Sequence, residues 1–218
     1  MELDHLFVRA TLGAPEAALL RAFGLSEGSP NTHPGQGTAN RRFFFHNAFI
    51  ELLWIADESE ASSEPTRRTQ LHTRLGAVDG VSPFGVCFRP SRAGEAVAFD
   101  SWAYTPGYLP PGMQVDIAAR SPLAEPMWFF LEGASAPDAA PAARRQPLGH
   151  AAAVRDISAL TITVPGRQAW SPAALAAIAT GKIRLAEGAG HLLEIVFDQG
   201  ASGRVHDFRP ALPLVFRY

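Results

Sequence analysis

Hydrophobic and polar residues alternate over several short stretches of the chain, which is the pattern of half-buried β-strands. The first stretch, LDHLFVRA, predicts two strand faces, one with Leu3, His5, Phe7 and Arg9 and the other with Asp4, Leu6, Val8 and Ala10. Two later stretches, NRRFFFHN and AFIELLWI, predict strands joined at His46-Asn47, a pair that favours turns. The order β-α-β-β follows, with a further strand if the intervening loop contains one.

Two segments carry the signals of helices. GAPEAALLRAFGL predicts a helix over residues 14–23, and SPAALAAIATG predicts one over 172–180, with Ser171 as N-cap and Gly181 after the end. Both segments follow a strand-like stretch, so strand, turn, proline and Ala/Leu-rich helix occur twice. This repeat indicates a repeated supersecondary unit.

Two polar or low-complexity stretches divide the chain. Residues 57–80 are polar and predict a linker with one helical turn near TQLHTRL, and residues 134–149 are rich in Ala and Pro. We therefore expect a domain of two modules over residues 1–133, a linker over 134–149, and a third β-α-β-β-like module over 150–218 packed on the first.

Composition limits the classes of function. The chain has 218 residues, of which 47% are hydrophobic and 18% charged, with a formal net charge of −2, so it can bury a core and shows no basic surface for nucleic acid. A single cysteine, Cys87, excludes an internal disulfide, and its apolar strand favours an inert core position over a nucleophile. With no signal peptide and no apolar run that spans a membrane, we expect a cytoplasmic protein without a membrane partner.

Glu51 is the most informative residue, because it interrupts the apolar strand FIELLWI. An unpaired buried charge costs several kcal/mol, so this carboxylate needs a metal, a cation or a hydrogen-bond donor. One residue of the pair Arg41-Arg42 faces the same side and could supply the cation. The metal and the arginine remain alternatives at this stage.

The loop HPGQGTAN just before these strands carries His33, Gln36, Thr38 and Asn40. Its glycines let the backbone approach a ligand, so we predict that these four side chains bind a substrate at the rim of a site. The alternative is a plain solvated turn. Trp102, in SWAYTPGYLPPG, is a further predicted substrate contact, with packing under a proline-rich loop as the equal alternative.

The stretches LDHLFVRA, HPGQGTANR and IELL together resemble the vicinal oxygen chelate superfamily, and within it the glyoxalase-like domain proteins. The resemblance implies an α+β fold in which repeated β-α-β-β-β modules form a curled, cup-shaped antiparallel sheet. It also implies that His5 and Glu51 point into the cup as catalytic residues and as ligands of one divalent metal ion. Imidazole and carboxylate together suit zinc, iron, nickel or manganese.

The second module departs from that pattern. When HLFVRA is laid on GVCFRP and FIELL on MWFFL, His5 matches Gly85 and Glu51 matches Phe129, and neither can bind a metal. Two functions therefore remain: a small-molecule enzyme of isomerase, lyase or dioxygenase type, and a metal-free small-molecule binding or sequestering protein of the same fold. We expect a small-molecule partner in either case and leave a homodimer open.

Overall fold

The computed structural model describes residues 1–166 and 169–218. The first module consists of β1 (Glu2–Arg9), α1 (Ala17–Phe23), β2 (Asn31–His33), β3 (Thr38–Phe44) and β4 (Phe49–Ile55). Three short helices follow, α2 (Glu58–Ala61), α3 (Glu64–Arg67) and α4 (Leu71–Leu75). The second module consists of β5 (Phe84–Arg89), β6 (Ser101–Tyr104), β7 (Val115–Ala118) and β8 (Met127–Phe130).

The remaining elements are β9 (Ile157–Pro165), α5 (Pro172–Ala179), β10 (Ile183–Gly188), β11 (Leu192–Phe197), β12 (Val205–Asp207) and β13 (Leu214–Arg217). Short 3₁₀ turns lie at Pro137–Ala139, Ala142–Arg144 and Asp198–Gly200. Among the helices of the described residues, none is long and apolar enough to cross a membrane.

The strands form two sheets. Eight strands form a curled half-barrel in the order β2-β3-β4-β1-β5-β8-β7-β6, in which the second module repeats the strand order of the first. The other five form a sheet in the order β10-β9-β11-β13-β12. The α+β, cup-shaped fold predicted from the sequence is confirmed. The large sheet is mixed rather than purely antiparallel, because β1 pairs with β4, and β5 with β8, in parallel.

The two faces of the large sheet are covered differently. Its outer face packs against α1, α5 and the five-stranded sheet through the largest hydrophobic cluster, which includes Leu6, Ile50, Trp128, Ile162 and Phe216. Its inner face carries a smaller cluster that includes Phe7, Leu53, Cys87, Ile117 and Phe129. The alternation of each strand therefore sends every second side chain into the cup.

Local signals account for both predicted helices. α5 begins after Ser171, whose hydroxyl accepts a hydrogen bond from the Ala174 amide at 3.2 Å, and Gly181 follows its end with a φ of 74°. α1 begins at Ala17, later than predicted, and ends before Gly24, which has a φ of 110°. The short strand β2 is the additional strand that the sequence left open. The stretch 57–80 is more helical than predicted, with three short helices in place of one turn.

A β-bulge shifts the face pattern at the start of β1. Leu3 pairs with Phe88, and His5 pairs with the adjacent residue Cys87. Asp4 is therefore an extra residue in β1 without a partner in β5. As a result Leu3 joins the outer core, whereas the sequence placed it on the His5 face. The predicted faces are correct from His5 onward and wrong for Leu3 and Asp4.

Candidate functional site

The concave face of the large sheet encloses a cavity of about 200 Å³. Aromatic and aliphatic side chains form most of its wall, and a few polar groups face into it. The lining residues are His5, Phe7, Asn31, His33, Gln36, Arg42, Phe49, Glu51, Leu53, Leu71, Cys87, Tyr104, Tyr108, Leu109, Val115, Ile117, Met127, Phe129 and Leu131. An apolar cavity with a few convergent polar groups is typical of a small-molecule site.

Glu51 faces this cavity from the middle of β4, and only 8% of the residue is exposed. Its Oε1 accepts a hydrogen bond from Nδ2 of Asn40 at 2.8 Å. The Asn40 Oδ1 in turn accepts from the Asn31 backbone N–H at 2.9 Å, so both ends of the amide are held. The carboxylate predicted from FIELLWI therefore points inward and has a neutral hydrogen-bond partner.

Arg42 lies directly opposite Glu51 in the β3–β4 register, which places both side chains on the inner face. Arg42 does not neutralise Glu51: among the described residues, no ion pair within 4.0 Å joins the two. The guanidinium instead donates from Nε to the Ser29 carbonyl oxygen at 2.9 Å. Arg41 faces the other way and pairs with Glu27. The predicted inward arginine is thus present, but the ion pair weighed for it is not formed.

His5 lies on the neighbouring strand β1, where it pairs with Phe49, two residues before Glu51. Its Nδ1 is 2.7 Å from Oδ2 of Asp4, a contact that the bulge makes possible by turning two consecutive side chains to one side. Its ring stacks on Phe49 with centroids 4.5 Å apart. Burial lowers the pKa of His5, but its proximity to Cys87 and Glu51 and its hydrogen bond to Asp4 raise it more, so the net pKa lies well above the ordinary histidine value.

Cys87 completes a group of three possible metal ligands with Asp4 and His5, whose ligand atoms all lie within 4.8 Å of one another. The thiol is fully buried, and burial raises its pKa to about 11 against the opposing effect of His5. The thiol is therefore protonated near neutral pH. Metal binding at this group would require loss of the thiol proton.

The structure does not bring the two predicted metal ligands, His5 and Glu51, into one group. Asp4 is held by Arg89, whose Nη1 is 3.4 Å from Oδ1, and its other oxygen holds the Nδ1 of His5. Glu51 does not belong to the group of three, and the carboxylate oxygens of Asp4 in that group already contact Arg89 and His5. A divalent ion needs several free donors that converge on one point.

At the positions equivalent to His5 and Glu51, the second module has no side chain that could bind a metal, as the register of the two halves shows. Leu6 pairs with Val86, and a local two-fold axis at this pair exchanges β1 for β5 and β4 for β8. The exchange puts Gly85 in the place of His5 and Phe129 in the place of Glu51. The alignment made from the sequence is therefore the alignment that the strands adopt.

The loop after β2 forms part of the cavity rim. His33 and Gln36 line the cavity, and the Tyr108 hydroxyl donates to Oε1 of Gln36 at 3.1 Å. Thr38 lies behind them, where its Oγ1 is 2.8 Å from both Nε2 of Gln36 and Nδ1 of His33. Of the four predicted loop residues, two face the cavity, while Thr38 and Asn40 position the side chains that do.

The hydrogen bonds of His33 fix its tautomer. Nε2 lies 3.2 Å from Nδ2 of Asn31, which can only donate, so Nε2 accepts and the ring proton is on Nδ1. Nδ1 then donates to Thr38. Burial lowers the pKa of His33, Glu51 opposes this, and Arg42 and His5 add to it. His33 is therefore a neutral group at the rim, in contrast to His5.

Trp102 is not among the residues that line the cavity, so its contact with a substrate stays a prediction. The guanidinium of Arg68, at the end of α3, covers its ring with 4.3 Å between the guanidinium carbon and the ring centroid. The helices of the 57–80 segment thus close this end of the cup, and α4 contributes Leu71 to the wall. This contribution of α4 was not predicted from the sequence, in which its one signal is the apolar pair Leu71 and Leu75 at helical spacing.

Comparisons with known proteins agree with this architecture. The family model of the glyoxalase-like domain matches residues 3–178. No functionally curated protein matches the chain. A crystal structure of a hypothetical protein from Staphylococcus aureus is similar with a TM-score of 0.53 at 12% sequence identity, over 99% of this chain and 98% of that one. At this identity the likeness concerns the fold alone.

Proposed function

Since this chain belongs to the glyoxalase-like domain family of the vicinal oxygen chelate superfamily, we propose that its cup binds a small organic molecule without the help of a metal ion. Divalent metals are common in that superfamily, but here the positions contributed by the second module are Gly85 and Phe129. The cup keeps the shape of a ligand site and replaces half of the metal site by apolar wall.

The inward carboxylate of Glu51 carries this proposal. A buried charge is costly unless it is satisfied, and the neutral amide of Asn40 satisfies only one of its oxygens. A ligand group that donates a hydrogen bond or carries a positive charge would satisfy the other. The aromatic rings of Phe7, Phe49 and Phe129 would hold the apolar part of the same molecule.

A second candidate function is proton transfer on the bound molecule, as in an isomerase or lyase. The observation in its favour is that His5, with its raised pKa, and Glu51 line the same cavity. Glu51 would take a proton from the substrate, and protonated His5 would donate to the oxyanion that develops. This arrangement needs no metal.

Methyl NMR with a fragment library tests the binding function. The protein, treated with a chelator and labelled with ¹³C at methionine and isoleucine methyl groups, reports binding in the cup through Met127 and Ile117. We expect fragments to shift these two signals, and Glu51→Gln to weaken the binding by about 1.5–3 kcal/mol where the fragment contacts the carboxylate. Glu64→Gln, on exposed α3, is the matched control.

Fragments that shift only signals outside the cup, or bind equally well to Glu51→Gln, would contradict this function. Exchange of substrate C–H for deuterium, measured on bound fragments in D₂O, separates the two candidates. Exchange that depends on Glu51 supports the enzyme, and binding without exchange supports the binding protein.

A further inference from the structure

The side chains of Arg42 and Glu51 stand side by side on the inner face of the cup. They are directly opposed across β3 and β4, and both line the cavity. Opposite charges in this cross-strand position stabilise a sheet when they pair with each other. A direct ion pair is therefore the arrangement that the register favours.

Glu51 and Arg42 instead form hydrogen bonds with separate neutral groups. Asn40 donates to Glu51, while Arg42 donates to the carbonyl oxygens of Ser29 at 2.9 Å and Pro30 at 3.5 Å. The Arg42 guanidinium also lies over the ring of Phe44, 5.1 Å from its centroid. Burial lowers the pKa of Arg42, and Glu51 opposes this effect. Neither the Arg42 guanidinium nor the Glu51 carboxylate has all of its hydrogen-bonding capacity used by these partners, and both residues line the cavity.

The other charges around the cup already have partners. Asp4 lies between His5 and Arg89, at 2.7 Å and 3.4 Å. Arg89 also contacts Glu2 at 3.0 Å. Arg42 and Glu51 therefore remain as one positive and one negative group that face the same small space without neutralising each other. A molecule with one group of each sign would complement both.

We infer that the ligand of the cup is a zwitterion with an apolar side chain, of the α-amino acid class, whose carboxylate pairs with Arg42 and whose ammonium pairs with Glu51. The side chain would lie against Phe7, Phe49 and Phe129. Arginine binds a carboxylate through two parallel hydrogen bonds, and an ammonium group suits a carboxylate flanked by aromatic rings. This inference rests on the proposed binding function and names its ligand class.

Three probes of one shape test the inference. L-phenylalanine carries both charges, 3-phenylpropionate lacks the ammonium, and phenethylamine lacks the carboxylate. Titration calorimetry with chelator-treated protein should show that L-phenylalanine binds about 10- to 100-fold more tightly than either analogue, since each lost contact is a charge-assisted hydrogen bond. The Met127 methyl signal should shift with L-phenylalanine, which places the probe in the cup.

Single substitutions should remove one preference each. Arg42→Gln should bind L-phenylalanine and phenethylamine equally, and Glu51→Gln should bind L-phenylalanine and 3-phenylpropionate equally. Arg41→Gln is the matched control, because Arg41 is the adjacent arginine but faces away and pairs with Glu27. Its order of affinities should be that of the wild type, and melting temperatures check that each variant folds.

The wild-type titrations decide the matter even where a variant does not fold. Equal or tighter binding of either single-charge analogue, or no binding of L-phenylalanine, overturns the zwitterion inference. The fragment screen above judges the proposed function separately. Fragments that bind in the cup without this charge preference leave that function intact, whereas a cup that binds no fragment refutes both.

Discussion

The ring of Phe7 fills the space that a side chain at residue 85 would need. A Cβ atom added at Gly85 would lie 2.1 Å from Cε1 of Phe7, with which this glycine is paired across β1 and β5. Gly85 also occupies, in the second module, the position of His5 in the first. At this position the second module thus has close packing of an aromatic wall, where the first module has a possible ligand.

Gly85→Ala should therefore destabilise the fold. Because backbone and a ring in the interior cannot easily move apart, we expect a loss of about 1–3 kcal/mol in the free energy of unfolding, measured by urea denaturation. Gly107→Ala is the matched control, since a Cβ there would contact nothing within 4 Å. In a Phe7→Leu background, Gly85→Ala should lower the free energy of unfolding by less than it does in the wild type. Equal stability of the two glycine variants would show that Phe7 does not occupy that space.

His5 and His33 should titrate on opposite sides of the ordinary histidine pKa. The negative groups near His5 raise its pKa despite burial, whereas burial lowers that of His33. NMR of the ring C–H signals measures both values. Asp4→Asn should lower the pKa of His5 and leave that of His33 nearly unchanged. A His5 pKa at or below the ordinary value would contradict the contact with Asp4 and the electrostatic effect of Glu51.

The same shifts have opposite effects on stability. Because its folded-state pKa is raised, His5 contributes stability that is full below its unfolded pKa and is lost as pH rises through the folded value. The difference in folding stability between the wild type and His5→Gln should thus shrink as the solution is made alkaline. His33, with its lowered pKa, favours folding while neutral and should cost stability as pH falls below the ordinary histidine value. Stability curves of the wild type and His33→Gln, measured from acid to neutral pH, should converge toward acid.

Cys87 should resist thiol reagents in the folded protein. Its side chain is fully buried, and burial raises the pKa of the thiol to about 11, so little thiolate is exposed to a reagent at pH 8. A colorimetric disulfide reagent should label it rapidly only after denaturation. Fast labelling of the native state would mean that the cup opens wide enough to admit the reagent.

Asn40→Ala should destabilise the rim and weaken ligand binding at once. Asn40 is fully buried and links Glu51 to the Asn31 backbone, so its loss leaves the buried Glu51 carboxylate and the part-buried N–H of Asn31 without this partner. We expect the free energy of unfolding to fall by about 1–3 kcal/mol for each lost hydrogen bond. Thr32→Ala, at an exposed position of the same strand pair, should change stability little. A loop that merely turns in solvent would give no difference between the two variants.

The sequence predicted the parts of the fold that depend on local pattern. Alternation separated the two faces of β1 from His5 onward, and the resemblance to glyoxalase-like domain proteins placed His5 and Glu51 on the inner face. The signals at Ser171 and Gly181 bounded α5 within one residue. It also aligned Gly85 with His5, because both modules repeat the same strand pattern.

What the sequence did not predict depends on contacts between distant segments. The bulge at Asp4 adds one residue without disturbing the apolar pattern, so nothing local marks it. Arg68 covers Trp102 only because the short helices fold over that end of the cup, and their polar composition resembles a linker. Likewise, the turn of Arg42 away from Glu51 depends on carbonyl groups that precede β2.

The central claim is tested most directly by elemental analysis combined with measurements of ligand affinity. Protein purified without a metal-affinity tag or added metal is analysed for zinc, iron, nickel and manganese, and binding of cup-directed fragments is measured before and after dialysis against EDTA. A metal-independent cup predicts far less than one metal ion per chain and the same affinities before and after dialysis. One bound ion per chain, with affinity lost in EDTA and restored by that ion, would contradict it.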